Sequence, residues 1–100
     1  MFKVKITVLR RHIHEDLIKQ YENPITNACD MVLGDEFISI DAKKPEGFCN
    51  NAWKNVGSYV KRLANGEENF FNGWMKNKKS AMISCDDGFR PVSFYLEVVE

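Results

Sequence analysis

No stretch of this 100-residue chain contains the roughly 20 consecutive apolar residues that a membrane-spanning helix needs. The N-terminal residues alternate in the manner of a strand and lack the continuous apolar segment of a signal peptide. Cysteine is scarce: the chain has three, with no close pair, which argues against a disulfide scaffold and fits a reducing compartment. From these absences we expect a cytoplasmic protein.

The sequence also lacks an excess of charge of either sign, since 14 basic side chains are balanced by 14 acidic ones. Without a net positive field, the chain has no general attraction for nucleic acid or for an anionic membrane. The dense basic cluster of Lys76, Lys78 and Lys79 is typical of a solvated loop. We therefore expect neither nucleic acid nor a membrane as a partner.

What the chain does contain is typical of one folded domain. Apolar residues make up 44% of the sequence and aromatic residues 12%, which favours a globular protein over a disordered one. A chain of this length buries roughly 60–70% of its unfolded surface, which is enough for one core. We predict a single domain over residues 1–100.

Apolar periodicity predicts an α+β fold. Alternation predicts strands at residues 2–10, 36–41, 80–85 and 91–99, the last two forming a hairpin around the turn signal Asp87-Gly88. Helical spacing predicts a short helix at residues 14–22 and a long one at 51–65, whose apolar stripe contains Trp53, Val56, Val60 and Leu63. The order β-α-β-α-β-β indicates a mostly antiparallel four-stranded sheet covered by the long helix, with the short helix beside it.

Gly57 lies inside the long predicted helix. Glycine there costs about 1 kcal/mol relative to alanine in helix propensity. The sequence therefore predicts that another group packs closely against the helix backbone at this position.

Cys49 is the candidate catalytic residue, because it lies just before the long predicted helix. Unpaired amide hydrogens and the positive end of the helix dipole stabilise a thiolate there. Lysines at positions 43, 44 and 54 are close in sequence and add positive charge. Beside Phe48 and near Trp53, the same cysteine also fits a small core hydrophobe, so both interpretations stay open.

The other two cysteines make a metal site conceivable without indicating a specific cofactor. Cys85 lies next to Asp86 and Asp87, whose charges disfavour a thiolate, and Cys29 lies in an irregular segment. If Cys29, Cys49 and Cys85 converged, they could hold zinc or an iron–sulfur cluster with one open position. Their separations of 20 and 36 residues contain no Cys-x-x-Cys pair.

Arg90 and Asp87 flank the predicted hairpin turn and are candidate ligand-binding residues. A guanidinium binds a carboxylate or phosphate with two parallel hydrogen bonds, and an aspartate can orient it. The alternative is an aspartate-stabilised turn with an ion pair inside the hairpin.

A loop at residues 67–79 contains the aromatic residues Phe70, Phe71 and Trp74 together with Met75. These side chains either fold over the helix to complete the core or form an exposed patch. Such a patch would bind a small molecule, a partner protein or a second copy of the chain. Trp74 and Phe71 are its candidate binding residues.

Two strings, Pro45-Glu46-Gly47-Phe48-Cys49 and Asp87-Gly88-Phe89-Arg90-Pro91-Val92, are the most specific part of a resemblance that spans nearly the whole chain. They are similar to a family of small uncharacterised prokaryotic proteins without an established activity. The family pattern has cysteines at the positions of Cys29, Cys49 and Cys85, and often a further one where this chain has Asp86. The resemblance implies a single prokaryotic cytoplasmic domain and no particular substrate or cofactor.

Two functional hypotheses follow. The first is a small non-catalytic domain that binds a ligand or partner through the aromatic loop, with Arg90 at the rim of a pocket. The second is a thiol-dependent protein, redox-active or metal-binding, with Cys49 as its centre and Cys29 or Cys85 as its partner.

Overall fold

The computed structural model describes residues 1–25 and 29–99, and these residues form the predicted α+β fold. The sheet has four strands, all paired antiparallel, in the spatial order β2-β1-β4-β3. In chain order the elements are β1 Val4–Arg11, α1 Glu15–Tyr21, β2 Glu36–Ser39, α2 Asn50–Ala64, α3 Phe70–Gly73, β3 Ser80–Ser84 and β4 Val92–Val98.

The predicted hairpin is confirmed, with β3 and β4 in register from Ser80 opposite Glu97 to Ser84 opposite Ser93. Strand β4 also pairs with β1 along its length, so the first and last strands form the centre of the sheet. Within the described ranges, no helix has the length and apolar character needed to cross a membrane.

The core lies between α2 and one face of the sheet. Val4, Ile6 and Val8 point into it from β1, as the alternation predicts, and all three are buried. Helix α2 buries Val56, Val60 and Leu63 against them.

The bounds of α2 differ by one residue from the prediction. Trp53 was expected in this stripe but is only half-buried and packs edge-on against Phe48.

Gly57 does make room for a close neighbour, and that neighbour belongs to the same helix. A methyl group added at Gly57 would lie 2.8 Å from Cε2 of the Trp53 indole. The absence of a side chain at Gly57 therefore lets the Trp53 indole lie against the helix one turn after Trp53 itself.

Strand β1 contains a bulge, which the sequence did not predict. Val8 pairs with Phe94, but the next pairs are Arg10 with Ser93 and Arg11 with Val92, so Leu9 is an extra residue. Beyond the bulge the alternation is shifted by one position. Arg10 and His12 therefore share the outer face of the sheet, which is the face opposite α2.

The short helix α1 is attached mainly through its ends. It buries no side chain, and Tyr21 is 70% exposed. The backbone leading into it continues the pairing of β1, since the amides of His12 and His14 donate to the carbonyl oxygens of Pro91 and Phe89, both at 2.9 Å. Helix α1 is thus fixed to the turn that precedes β4.

The aromatic loop divides between the two predicted alternatives. Phe70 is 2% exposed and packs against Tyr59 with 6.1 Å between ring centroids, whereas Trp74 is 83% exposed. The prediction of an irregular loop was incomplete, because residues 70–73 form α3, in which Phe71 and Asn72 have positive φ angles. Phe70 therefore completes the core, and Trp74 stays at the surface.

Arg62 covers the outer side of this aromatic cluster, at the C-terminal end of α2. Its guanidinium carbon lies 4.7 Å from the centroid of the Phe70 ring and 5.1 Å from that of Tyr59. Hydrogen bonds from the same guanidinium lower the pKa of the Glu67 carboxyl, and Glu67 in turn raises the pKa of Arg62. The aromatic cluster and its ion pair thus close the C-terminal end of α2.

Candidate functional site

A cavity of about 240 Å³ lies at the opposite, N-terminal end of α2, and all three cysteines line it. We call it the cysteine cavity. Its apolar wall consists of Ile25, Met31, Ala52, Val92 and Phe94, and its polar lining, besides the thiols, consists of Glu22, Asn51, Asp87 and Arg90. Elements that are distant in sequence therefore meet here: the end of α1, the start of α2, and the turn between β3 and β4.

Cys49 immediately precedes α2 and occupies its capping position, as predicted. Its carbonyl oxygen accepts the amide hydrogen of Trp53 at 3.0 Å, while its thiol makes no capping hydrogen bond in the described part of the chain. The first turn of α2 carries no acidic side chain. Nearby, the Lys44 ammonium donates to the carbonyl oxygen of Phe48 at 3.0 Å. The thiol itself is half-buried at this end of the helix.

Cys85 follows β3 and is held beside the start of α2. Its Sγ accepts the amide hydrogen of Val92 at 3.3 Å, and its own amide donates to the Val92 carbonyl oxygen at 3.0 Å. From α2, the Asn55 amide group donates to the Ser84 carbonyl oxygen at 2.5 Å. Asn51, one turn earlier, donates to the Asp86 carboxylate at 3.5 Å.

Cys29 reaches the cavity from the segment that precedes β2. Its Sγ accepts the amide hydrogen of Met31 at 3.5 Å, and its carbonyl oxygen accepts a hydrogen bond from Arg11 at 2.9 Å. Two of the three sulfurs, those of Cys29 and Cys85, therefore accept backbone N–H groups.

Arg90 forms an ion pair that the sequence did not predict. Its Nη1 and Nη2 donate to the two carboxylate oxygens of Glu22 at 3.0 and 2.9 Å, and both side chains are more than four-fifths covered. The hydrogen bonds from Arg90 to Glu22 raise the pKa of the guanidinium further above its usual value. Glu22 lies 68 residues away in sequence, so the pair connects α1 to the hairpin turn.

The prediction of an ion pair inside the hairpin was wrong, because Arg90 pairs with Glu22, which lies outside the hairpin. Asp87 Oδ1 instead accepts the amide hydrogens of Phe89 and Arg90 at 2.8 and 3.0 Å and so stabilises the turn. Because Glu22 already occupies two guanidinium donors of Arg90, a ligand carboxylate would have to compete with it. Asp87 orients the backbone of Arg90 rather than its side chain.

The four predicted binding residues do not form one site. Arg90 and Asp87 line the cysteine cavity, whereas Phe71 packs 6.2 Å from Tyr59, between ring centroids. Tyr59 lies about 12 Å further along α2 than Asn51, given 1.5 Å of rise per residue. The aromatic loop and the arginine therefore belong to different ends of the helix.

The three cysteines share a cavity without forming a metal centre. Among residues 1–25 and 29–99, no group of three or more His, Cys, Asp and Glu side chains is arranged to hold a metal ion. The zinc or iron–sulfur version of the thiol hypothesis thus gains no geometric support. The redox version needs only that the thiols be close to one another and reachable from solvent.

Comparisons of this chain with protein-family models, curated proteins and solved structures found no match. The resemblance of its motifs to a family of small prokaryotic proteins accordingly stays a prediction. Function has to be inferred from the residues and their geometry.

Proposed function

We propose that this protein is a thiol-dependent redox protein that acts through the cysteine cavity, with Cys49 as the nucleophile and Cys85 as its partner. The observation that carries the proposal is that Cys29, Cys49 and Cys85, separated by 20 and 36 residues in sequence, line a single cavity. Each of the three is half-buried, so the thiols are sheltered without being sealed from solvent.

Cys49 is assigned as the nucleophile because it occupies the N-terminal capping position of α2, where the first turn carries no acidic side chain. The free amides at the start of α2 and the helix dipole stabilise negative charge at the capping position. The Lys44 ammonium is held at the carbonyl oxygen of Phe48, the residue before Cys49. A thiolate, rather than a thiol, is the species that attacks disulfides.

Cys85 is assigned as the partner because it lines the same cavity as Cys49 and is held at the end of β3 by contacts with α2. The hydrogen bond from Asn55 to the Ser84 carbonyl oxygen fixes the strand end next to Cys85, and Asn51 makes a longer contact with Asp86 on its other side. The carboxylates of the neighbouring Asp86 and Asp87 accept hydrogen bonds from the Asn51 side chain and the Phe89 amide. A resolving thiol attacks second and benefits most from a fixed position.

The reaction consumes a disulfide substrate. The Cys49 thiolate attacks one sulfur of that disulfide, forming a mixed disulfide and releasing one substrate thiol. The Cys85 thiolate then attacks the Cys49 sulfur, releasing the second substrate thiol and closing an intramolecular disulfide. The protein loses two electrons and two protons, and the substrate gains them.

The test uses the reduced, folded protein with oxidised glutathione as the disulfide. We expect a Cys49–Cys85 disulfide, identified by mass spectrometry of peptides after the remaining thiol is alkylated. Cys85→Ser should stop at a glutathione adduct on Cys49, and Cys49→Ser should form no intramolecular bond. Cys29→Ser is the matched control, because it removes a thiol from the same cavity and should leave the reaction intact.

The proposal fails if the cysteines react only after unfolding in denaturant. It fails equally if Cys29→Ser and Cys49→Ser slow the reaction to the same extent. Either result would make the three cysteines small core residues that happen to border one cavity.

A second candidate function, partner binding through Trp74, is favoured by the 83% exposure of that side chain. A large aromatic residue at the surface is typical of binding hot spots. The backbone before it is strained at Phe71, whose φ of 56° is unusual for a phenylalanine, and such strain is concentrated at functional sites. The partner under this candidate is a protein, including a second copy of the chain.

We expect Trp74→Ala to abolish any self-association seen by sedimentation at high protein concentration. The free energy of unfolding should change by about 0.5 kcal/mol or less, as for other exposed positions. Phe70→Ala is the contrasting variant, because it removes a buried ring from the same loop and should destabilise the fold. Identical sedimentation of wild type and Trp74→Ala at every concentration would exclude self-association through this residue.

A further inference from the structure

A second concave site lies on the outer face of the sheet, away from the cysteine cavity. It has a volume of about 460 Å³ and is lined by Leu9, Arg10, His12, Met82 and Ser93. We call it the bulge groove, because the extra residue in β1 creates it. Its size is that of sites for small organic ligands.

The bulge is the reason that these side chains lie together. In a regular strand without the bulge, strict alternation would place Arg10 on the core face together with Val8. With it, Arg10 lies opposite Ser93 of β4 on the outer face, and His12 follows two positions later. Bulges occur often next to functional sites, where they redirect a side chain.

The groove combines donors with an apolar floor. Arg10 forms no ion pair or side-chain hydrogen bond with any of the described residues, in contrast to Arg62 and Arg90. The guanidinium, the His12 imidazole and the Ser93 hydroxyl can each donate a hydrogen bond. Leu9 and Met82, both 44% exposed, supply apolar surface beside them.

We propose that the bulge groove binds a phosphate monoester carried on a small apolar body. A guanidinium binds two phosphate oxygens in parallel, and phosphate has three strong acceptor oxygens to match donors from three side chains. The apolar part of the ligand covers Leu9 and Met82. This site lies on the face of the sheet opposite Val92 and Phe94, which line the cysteine cavity, so it does not depend on the thiol chemistry.

The experiment titrates the folded protein with phenyl phosphate and follows backbone amide signals by NMR. Shifts should be confined to residues 9–12 and to the facing positions 82 and 93. Inorganic phosphate should shift the same amides with lower affinity, because it lacks the apolar body. Phenol, which lacks the phosphate, should shift none of them at the same concentrations.

Arg10→Gln should raise the dissociation constant for phenyl phosphate by about tenfold or more, since a hydrogen bond to a charged group is worth roughly 1.5–3 kcal/mol. Lys61→Gln is the matched control: it removes the same charge from an exposed position on α2 and should leave the constant unchanged. Arg10→Lys keeps the charge but loses the parallel pair of donors. Its affinity for phenyl phosphate should therefore lie between that of the wild type and that of Arg10→Gln.

Three outcomes would overturn the proposal. The groove amides could fail to shift at millimolar phenyl phosphate. Arg10→Gln and Lys61→Gln could weaken binding equally, which would indicate a general charge effect. Phenol could bind as tightly as phenyl phosphate, which would make the groove an apolar surface without an anion site.

Discussion

Replacing Phe94 with alanine is expected to lower the free energy of unfolding by roughly 3–5 kcal/mol. Phe94 is fully buried on the central strand β4, and its ring centroid lies 5.3 Å from that of Phe48. Alanine would leave a void that opens onto the cysteine cavity, because Phe94 forms part of its wall. A domain of this size has a total stability of only about 5–15 kcal/mol, so this variant should be close to unfolding.

Urea denaturation followed by far-UV circular dichroism measures this loss. Phe2→Ala is the matched control, since it deletes the same ring at a position that is 41% exposed. We expect Phe2→Ala to lower the free energy of unfolding by about 1 kcal/mol or less. Equal losses in the two variants would contradict the placement of Phe94 at the centre of the core.

The expected elements that depend on local pattern agree closely with the structure. Strand β1, helix α2 and the terminal hairpin all have apolar periodicity that one face of the core enforces, so their type and order could be read from the residues. The α+β class follows from that order. The bounds of α1 and β2 differ from those predicted. For α1 the reason is that the helix buries no side chain, so nothing in the core fixes where it begins and ends.

Features that depend on distant contacts could not be predicted. Leu9 interrupts the apolar alternation of β1, but this signal alone did not predict the bulge, since an extra apolar residue also fits a strand end that is less strictly amphipathic. Nothing in the sequence around Glu22 indicates a special role. Its ion pair with Arg90 forms only because α1 is attached to the turn before β4. The meeting of the three cysteines likewise depends on how α2 lies across the sheet.

The aromatic loop was expected either to complete the core or to form an exposed patch, and it does both. Phe70 and Trp74 are four residues apart, and in a regular helix they would share one face. Left-handed backbone at Phe71 and Asn72 breaks that relation, so one ring enters the core and the other remains in solvent. Positive φ at a phenylalanine is not indicated by sequence, because the default expectation reserves it for glycine and asparagine.

Replacing Asp87 with alanine is the second change with a large expected effect, about 2–3 kcal/mol of stability. The carboxylate accepts the amide hydrogens of Phe89 and Arg90, and hydrogen bonds to a charged group contribute roughly 1.5–3 kcal/mol. Losing them would leave two amides of the turn without their partner. The same turn positions Arg90 for Glu22, so the variant should also increase the rate at which Cys85 is alkylated in the folded protein.

Asp86→Ala provides the control for this prediction, because it removes the adjacent carboxylate with the same change in charge. Asp86 is exposed, and its hydrogen bond from Asn51 is long at 3.5 Å, so its loss should cost about 0.5 kcal/mol or less. Asp87→Asn keeps a side-chain oxygen acceptor and should lose less stability than Asp87→Ala. If the two alanine variants were equally destabilised, general charge at the turn, rather than the two hydrogen bonds of Asp87, would hold Arg90 in place.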